Sequence, residues 1–140
     1  MQDLALEFGA TDIISERGEK GVARIKELTG SIGADSVLES VGTQESIMQA
    51  INCTRPGGSI GYAGVPHGVQ LGGQGLFFAQ TSLLGGPAQV RRFLPHLMDL
   101  VLKRKIEPGK VFDLTLPLAD VAEGYRAMDE RRAIKTLLRV

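Results

Sequence analysis

The sequence predicts an α/β protein built around a mostly parallel sheet. Short apolar stretches of strand length alternate along the chain with longer stretches in which apolar residues recur at helical spacing. Three of the predicted strands are followed directly, or nearly so, by a glycine, at Gly42, Gly64 and Gly85. Ligands of such sheets bind beyond the carboxyl ends of the strands, and glycine usually marks a close approach to the backbone, so these positions predict a ligand site.

In the first half of the chain, an apolar stretch ending at Gly9 predicts a helix, and Val22, Ile25 and Leu28 recur at the spacing of a second helix. Thr43 is a suitable cap for a third helix, which Pro56 is expected to stop. Four short apolar runs predict strands at 11–14, 35–41, 59–63 and 81–84.

In the second half, a long amphipathic helix is expected to open at Pro87, with Pro95 kinking it or delaying its start. A strand at 111–116, a helix over 118–130 capped near Asp120 and a closing strand at 134–139 complete the pattern. Strands that alternate with helices in this way are typical of parallel α/β sheets.

Composition limits the possible functions. The chain has 140 residues, of which 43% are hydrophobic, and its formal net charge is +0. We therefore expect one domain over residues 1–140 that binds neither nucleic acid nor a membrane, because no basic excess and no long apolar run is present. The start MQDLALEFGA lacks the features of a signal peptide, and the single cysteine, Cys53, fits a reducing compartment, so a cytoplasmic location is expected.

The common motif chemistries are not found. No G-x-G-x-x-G turn and no G-x-x-x-x-G-K-[ST] phosphate loop occurs. Gly57–Gly61 matches G-x-S-x-G, but Ser59 leads from a helix into a strand, the reverse of the context that makes this serine a nucleophile. The residues therefore provide no catalytic set.

Four single residues are candidates for a ligand or metal site. His67 follows a strand and can contact a ligand or simply lie in a solvated turn, and His96 is expected on a helix surface. With Cys53 these histidines give no paired metal-ligand spacing, so no metal site is expected. Glu39 ends an apolar strand, where it either holds a polar network or faces solvent.

Four stretches together resemble the carboxyl-terminal part of the zinc-dependent, medium-chain alcohol dehydrogenases. They are EFGATDII, GADSVLESVGT, RPGGSIGYAGVP and VAEGYRAMDERRAIKTLLRV, in the family's order. The resemblance implies the carboxyl-terminal part of an NAD(P)-binding domain: a partial doubly wound, Rossmann-type parallel sheet that lacks its first strands, followed by the family's C-terminal helix and strands. The cofactor would be NAD or NADP.

The resemblance also implies roles for particular residues. Val41 and Gly42 would lie against the adenine side of the cofactor. Ala63, Gly64 and Val65 would present backbone groups to the nicotinamide carboxamide. Two residues of the 81–84 strand, Ser82 and Leu84, would flank the nicotinamide ribose. Lys135 stands where the family often has an arginine that reaches the pyrophosphate, and lysine keeps that charge without the bidentate fork. The glycines would leave room for a flat cofactor on the strand ends.

The family's zinc ligands, glycine fingerprint and ribose-reading acidic residue are expected upstream of this sequence. The chain alone is therefore expected to be inactive. The strand order 3-2-1-4-5-6 places the 11–14 strand at one edge and leaves 35–41 bare, to be covered by the 11–14 strand or by another chain. A homodimer through the Thr81–Leu84 edge strand is expected. Two alternatives remain open, a non-catalytic assembly module and a fragment of an S-adenosylmethionine-dependent methyltransferase.

Overall fold

The computed structural model describes residues 2–140, which form two compact units. Ile14–Ala88 makes up one unit, and residues up to Ile13 together with Gln89–Val140 make up the other. The single domain expected over 1–140 stays a prediction. Within the described part of the chain, no helix combines the length and apolar character that a membrane crossing requires.

The Ile14–Ala88 unit is a three-stranded parallel sheet with helices between its strands, as the sequence predicts. The strands lie in the order β1-β2-β3, so β1 and β3 are the two edges. The elements in chain order are α2 (Gly18–Leu28), β1 (Ala34–Glu39), α3 (Gln44–Cys53), β2 (Thr54–Tyr62), α4 (Gly73–Ala79) and β3 (Ser82–Gly85).

Helix α3 covers one face of this sheet. Thr43 caps the helix as expected, in a reciprocal capping box with Ser46. Its buried residues Ile47, Ala50 and Ile51 form the core together with Ile60 of β2, and two strand neighbours of Ile60 in the register pack against this cluster, namely Val37 and Leu83. The core of the unit therefore lies between α3 and the row of paired strand residues Val37, Ile60 and Leu83.

The opposite face of the sheet is open. Side chains alternate between faces along a strand, and the next row in the register consists of Leu38, Gly61 and Leu84. Leu38 is 85% exposed and Leu84 is 72% exposed. A doubly wound sheet carries helices on both faces, so this unit presents the partial sheet that the sequence predicts, with the additional finding that one face is open.

The second unit is built on a pair of parallel strands. Its elements are α1 (Gln2–Glu7), α5 (Val90–Leu102), β4 (Phe112–Pro117), α6 (Val121–Asp129) and β5 (Lys135–Arg139). Helix α6 packs closely on β5, because Gly124 lies against Thr136 and the neighbouring Ala127 is fully buried. The Asp113 side chain accepts a hydrogen bond from the Ile134 amide and so fixes the approach to β5.

Two predictions of local structure are wrong. Thr11–Ile14 is not a strand, because no neighbouring strand supplies the ladder that would hold it extended. Pro56 does not stop α3, which ends at Cys53; the proline lies inside β2, at an irregularity between the pairs Ala34–Thr54 and Ser36–Ser59. Of the two effects expected of Pro95, the delayed start is excluded, because Pro95 lies inside α5, which starts at Val90. The kink stays a prediction.

Candidate functional site

The predicted site lies where β1 and β2 end. The turn that leaves β1 contains Val41 and Gly42, and the loop that leaves β2 contains Ala63, Gly64 and Val65. The structure brings all five of these predicted residues together, because the two strands are parallel neighbours and their carboxyl ends meet at one edge of the sheet.

The turn and the loop touch backbone to backbone. A Cβ atom on Gly42 would collide with the Val65 carbonyl, and Gly42 also has a φ of +83°. A Cβ on Gly64 would lie 2.5 Å from the Gly42 nitrogen and 2.6 Å from the Val41 nitrogen. Only glycine fits at either position.

This contact corrects the expected reason for the glycines. At Gly42 and Gly64 the space that a side chain would need is filled by the other loop, and at Gly85 it is filled by the Tyr62 ring. The close approach that the glycines signal is therefore an approach of the protein to itself. The glycines shape the edge of the sheet on which a ligand can lie.

Glu39, the last residue of β1, joins the turn to the loop. Its side chain is 4% exposed, and its Oε1 accepts hydrogen bonds from the amides of Val41 (2.7 Å) and Gly42 (2.8 Å). Its backbone carbonyl accepts hydrogen bonds from the amides of Ala63 (2.7 Å) and Gly64 (3.3 Å). Of the two alternatives for Glu39, the structure shows the polar network and not the solvent-facing edge.

The charge state of Glu39 follows from these contacts. Burial raises the pKa of the Glu39 carboxyl, but the Gly42 amide, the Ser46 side chain and the Val41 amide lower it by more, so the pKa lies below the ordinary value of 4.5. The group is therefore ionised at neutral pH. Its second oxygen, Oε2, is buried and has no hydrogen-bond partner among the described residues.

A cavity of about 460 Å³ adjoins the loop after β2. It is lined by all three predicted residues of that loop and by residues that the sequence reasoning missed: Tyr62, Pro66, Gly86, Pro87 and Ala88. Pairing of Tyr62 with Gly85 brings the ends of β2 and β3 side by side and closes the cavity on the β3 side. The signal in the sequence was the second turn motif, GGPA, which follows β3 as YAGVP follows β2.

A second cavity of about 400 Å³ lies between β1 and helices α2 and α3. Val41 and Glu39 line it on the strand side, with Arg17, Gln49 and Cys53 on the helix side. Val41 is 67% exposed, which leaves its side chain available for contact with a flat ring.

The remaining predicted residues lie elsewhere. Ser82 and Leu84 are exposed residues of β3, paired with Ser59 and Gly61 of β2, so they lie on the open face of the sheet. Lys135 is exposed at the start of β5 and belongs to the other unit.

The lesser candidates behave as ordinary structural residues. His67 is exposed in the turn after β2, where its backbone amide bonds the Gly42 carbonyl, and His96 is exposed on α5. Ser59 lies inside β2, which is not the strand-to-helix turn that a serine nucleophile needs. Cys53 is buried, and burial raises the pKa of its thiol, which keeps it protonated and unreactive at neutral pH.

Metal ligands are not gathered in this structure. Across residues 2–140, no three histidine, cysteine, aspartate or glutamate side chains are grouped so that they could hold a metal ion. The described residues therefore offer no ligand set that fits a zinc ion.

Comparison with known proteins places this edge of the sheet in context. Residues 1–103 match the zinc-binding dehydrogenase family. A "Zinc-type alcohol dehydrogenase B" of Aspergillus flavus is 28% identical over 98% of this chain and 32% of its own length. A "Probable zinc-binding alcohol dehydrogenase" of Mycobacterium tuberculosis is 35% identical over 86% of this chain and 31% of its own length. The chain thus spans about a third of these curated relatives.

Solved structures give the same result. An alcohol dehydrogenase from Thermus sp. ATN1 superposes with a TM-score of 0.87 at 25% identity, covering 99% of this chain and 42% of that one. A structure described as an NAD-dependent alcohol dehydrogenase superposes with a TM-score of 0.83 at 31% identity, covering 99% of this chain and 40% of that one. Both comparisons confirm the predicted family resemblance and fold class.

The lowered pKa of Glu39 predicts a pH-dependent stability. A carboxyl whose pKa is lower in the folded state stabilises the fold above its unfolded pKa, and this contribution is lost as pH falls through the folded pKa. Glu39→Gln should therefore lower the free energy of unfolding on the order of 1–2 kcal/mol at pH 7, and the gap should close below the ordinary value of 4.5. Urea titrations of both proteins at several pH values measure this difference in the free energy of unfolding.

The matched control is Glu45→Gln, which removes an exposed carboxylate six positions further along the chain. It should lower the free energy of unfolding by less than Glu39→Gln does, because an exposed charge in the first turn of α3 contributes only about 0.3–1 kcal/mol. A Glu39→Gln deficit that persists undiminished at pH 3 would contradict the assignment of the charge to this network.

Proposed function

Since this chain belongs to the zinc-binding dehydrogenase family, we propose that it is the cofactor-side part of an alcohol dehydrogenase and that it binds a nicotinamide dinucleotide. The observation that supports this proposal is the direct contact between the β1 turn and the β2 loop, with a cavity beside the loop. In parallel α/β sheets this edge is where ligands bind.

The free backbone groups of the β2 loop suit a nicotinamide carboxamide. The amides of Ala63 and Gly64 are already bonded to Glu39. Their carbonyl oxygens and the Val65 amide have no hydrogen-bond partner among the described residues. A carboxamide has two N–H donors and one carbonyl acceptor, so the loop offers the complementary set beside the cavity. When bound, the nicotinamide ring would donate or accept the hydride.

The other predicted contacts complete the proposed site. Val41 and Gly42 would lie on the adenine side, where Val41 is exposed beside the second cavity. Ser82 and Leu84 would flank the nicotinamide ribose from β3, and Lys135 would reach the pyrophosphate. These roles rest on the family resemblance, as does the choice of NAD or NADP.

The proposal concerns cofactor binding rather than turnover. In the part of the chain that the structure describes, no metal-ligand group is present to polarise an alcohol oxygen. We therefore propose that hydride transfer between an alcohol and the nicotinamide needs residues beyond those of this chain, and that the isolated chain is inactive.

Of the two alternative functions, only the non-catalytic assembly module remains to be tested. A methyltransferase fragment has lost its support, because the family matched is a dehydrogenase family. A non-catalytic assembly module keeps the same fold without a cofactor, and a binding measurement separates it from the cofactor-site proposal.

That measurement is a titration of the purified chain with NADH, followed by nicotinamide fluorescence polarisation. We expect saturable binding and, for Lys135→Ala, a roughly tenfold higher Kd, because one charge-assisted hydrogen bond is worth about 1.5 kcal/mol. Lys105→Ala, which removes an exposed lysine from the same unit, is the control and should leave Kd unchanged. No binding up to millimolar NADH would favour the assembly module.

We also propose that the chain forms a homodimer through the Thr81–Leu84 edge. β3 is an edge strand of its sheet, and Leu84 on that strand is 72% exposed. A second copy would continue the sheet there and pair the backbone groups that the edge leaves open. Light scattering at micromolar concentration should give the dimer mass, and Leu84→Lys should shift it towards the monomer. A clean monomer for the unaltered chain would refute the proposal.

A further inference from the structure

We propose that Glu39 is a positioning residue that holds the β1 turn and the β2 loop together, with its carboxylate bonded to the turn and its main-chain carbonyl bonded to the loop. For the cofactor this inference rests on the function proposed above. For the protein alone it rests on the contacts of one buried side chain.

The first step is that Glu39 serves the turn and the loop with different groups. Its side chain bonds the amides of the turn, Val41 and Gly42, while its main-chain carbonyl bonds the amides of the loop, Ala63 and Gly64. Four amides from two segments therefore converge on one residue.

The second step is that the turn and the loop also hold each other. Gly42 lies against the Val65 backbone, Gly64 lies against the amides of the turn, and the His67 amide bonds the Gly42 carbonyl at 3.2 Å. A shift of the turn therefore has no free space in which to occur without moving the loop. Close-packed backbones transmit such a shift because they do not compress.

The third step is that the carboxylate is costly to keep. Among the described residues Oε2 is buried without a hydrogen-bond partner, and a buried polar atom without a partner lowers stability. The hydrogen bonds to Oε1 offset this cost, because hydrogen bonds to an ionised acceptor are stronger than those to a neutral one. A charged residue with one unpaired oxygen thus holds the turn more firmly than a neutral amide of the same shape.

The experiment is amide hydrogen exchange by NMR on the full chain, comparing Glu39→Gln with the unaltered protein. The substitution leaves the residue 39 carbonyl in place, so a purely local effect would alter Val41 and Gly42 alone, whereas a loss of global stability would also lower protection at the buried Ile51 of α3. We expect protection to fall about tenfold at Val41 and Gly42, a loss of about 1.4 kcal/mol, and to fall at Ala63 and Gly64 by more than at Ile51. Unchanged protection at Ala63 and Gly64 would overturn the proposal.

Glu45→Gln is the matched control and should leave all four amides as they are. If Glu39→Gln fails to fold, the unaltered chain supplies the test. A single opening of turn and loop requires the four amides to share one protection factor, and values that differ by more than tenfold between turn and loop would overturn the inference.

A second readout concerns the cofactor. Glu39→Gln should raise the Kd for NADH severalfold, whereas Glu45→Gln should not. If the unaltered chain does not bind NADH, the proposed function fails, and the exchange result alone decides whether Glu39 couples turn and loop.

Discussion

The carboxyl edge of the sheet depends on one arrangement, the packing of the β1 turn directly on the β2 loop. Main chain meets main chain at Gly42 and Gly64, and the Glu39 network closes around that contact. Because no side chain separates turn and loop, the main chain of the loop at Ala63, Gly64 and Val65 lines the adjoining cavity. The proposed cofactor contacts follow from this geometry, and so does the requirement for glycine at both positions.

The covered and open faces of the sheet explain how the unit is stabilised. The row Val37, Ile60 and Leu83 is buried under α3, whereas the next row exposes Leu38 and Leu84. A sheet of this kind is stabilised from one side only. The Aspergillus flavus and Mycobacterium tuberculosis relatives are about three times the length of this chain.

Much of this could be read from the sequence, and the failures have physical causes. The Thr43 cap and the apolar face of α3 could be predicted because each depends on neighbouring residues in the sequence, and the structure confirms both predictions. Thr11–Ile14 has strand composition but no ladder partner, and a strand exists only when another strand supplies its hydrogen bonds. Helix α4 was missed because Gly73 and Gly75 disfavour a helix locally, and packing of Leu76 and Ala79 on the core overrides that preference. The sequence leaves Glu39 between two alternatives, since its burial and its bonds to Ala63 and Gly64 depend on a loop that only the fold brings beside β1.

The turn and the loop touch without room for a side chain, and thermal and urea unfolding of Gly64→Ala compared with Gly75→Ala measures whether this is so. A Cβ on Gly64 would lie 2.5 Å from the Gly42 nitrogen, whereas a Cβ on Gly75 in α4 meets nothing within 4 Å. We expect a loss of about 2 kcal/mol or more in the free energy of unfolding for Gly64→Ala and no loss, or a gain of up to about 1 kcal/mol, for Gly75→Ala. Equal stability of the two variants would contradict this expectation.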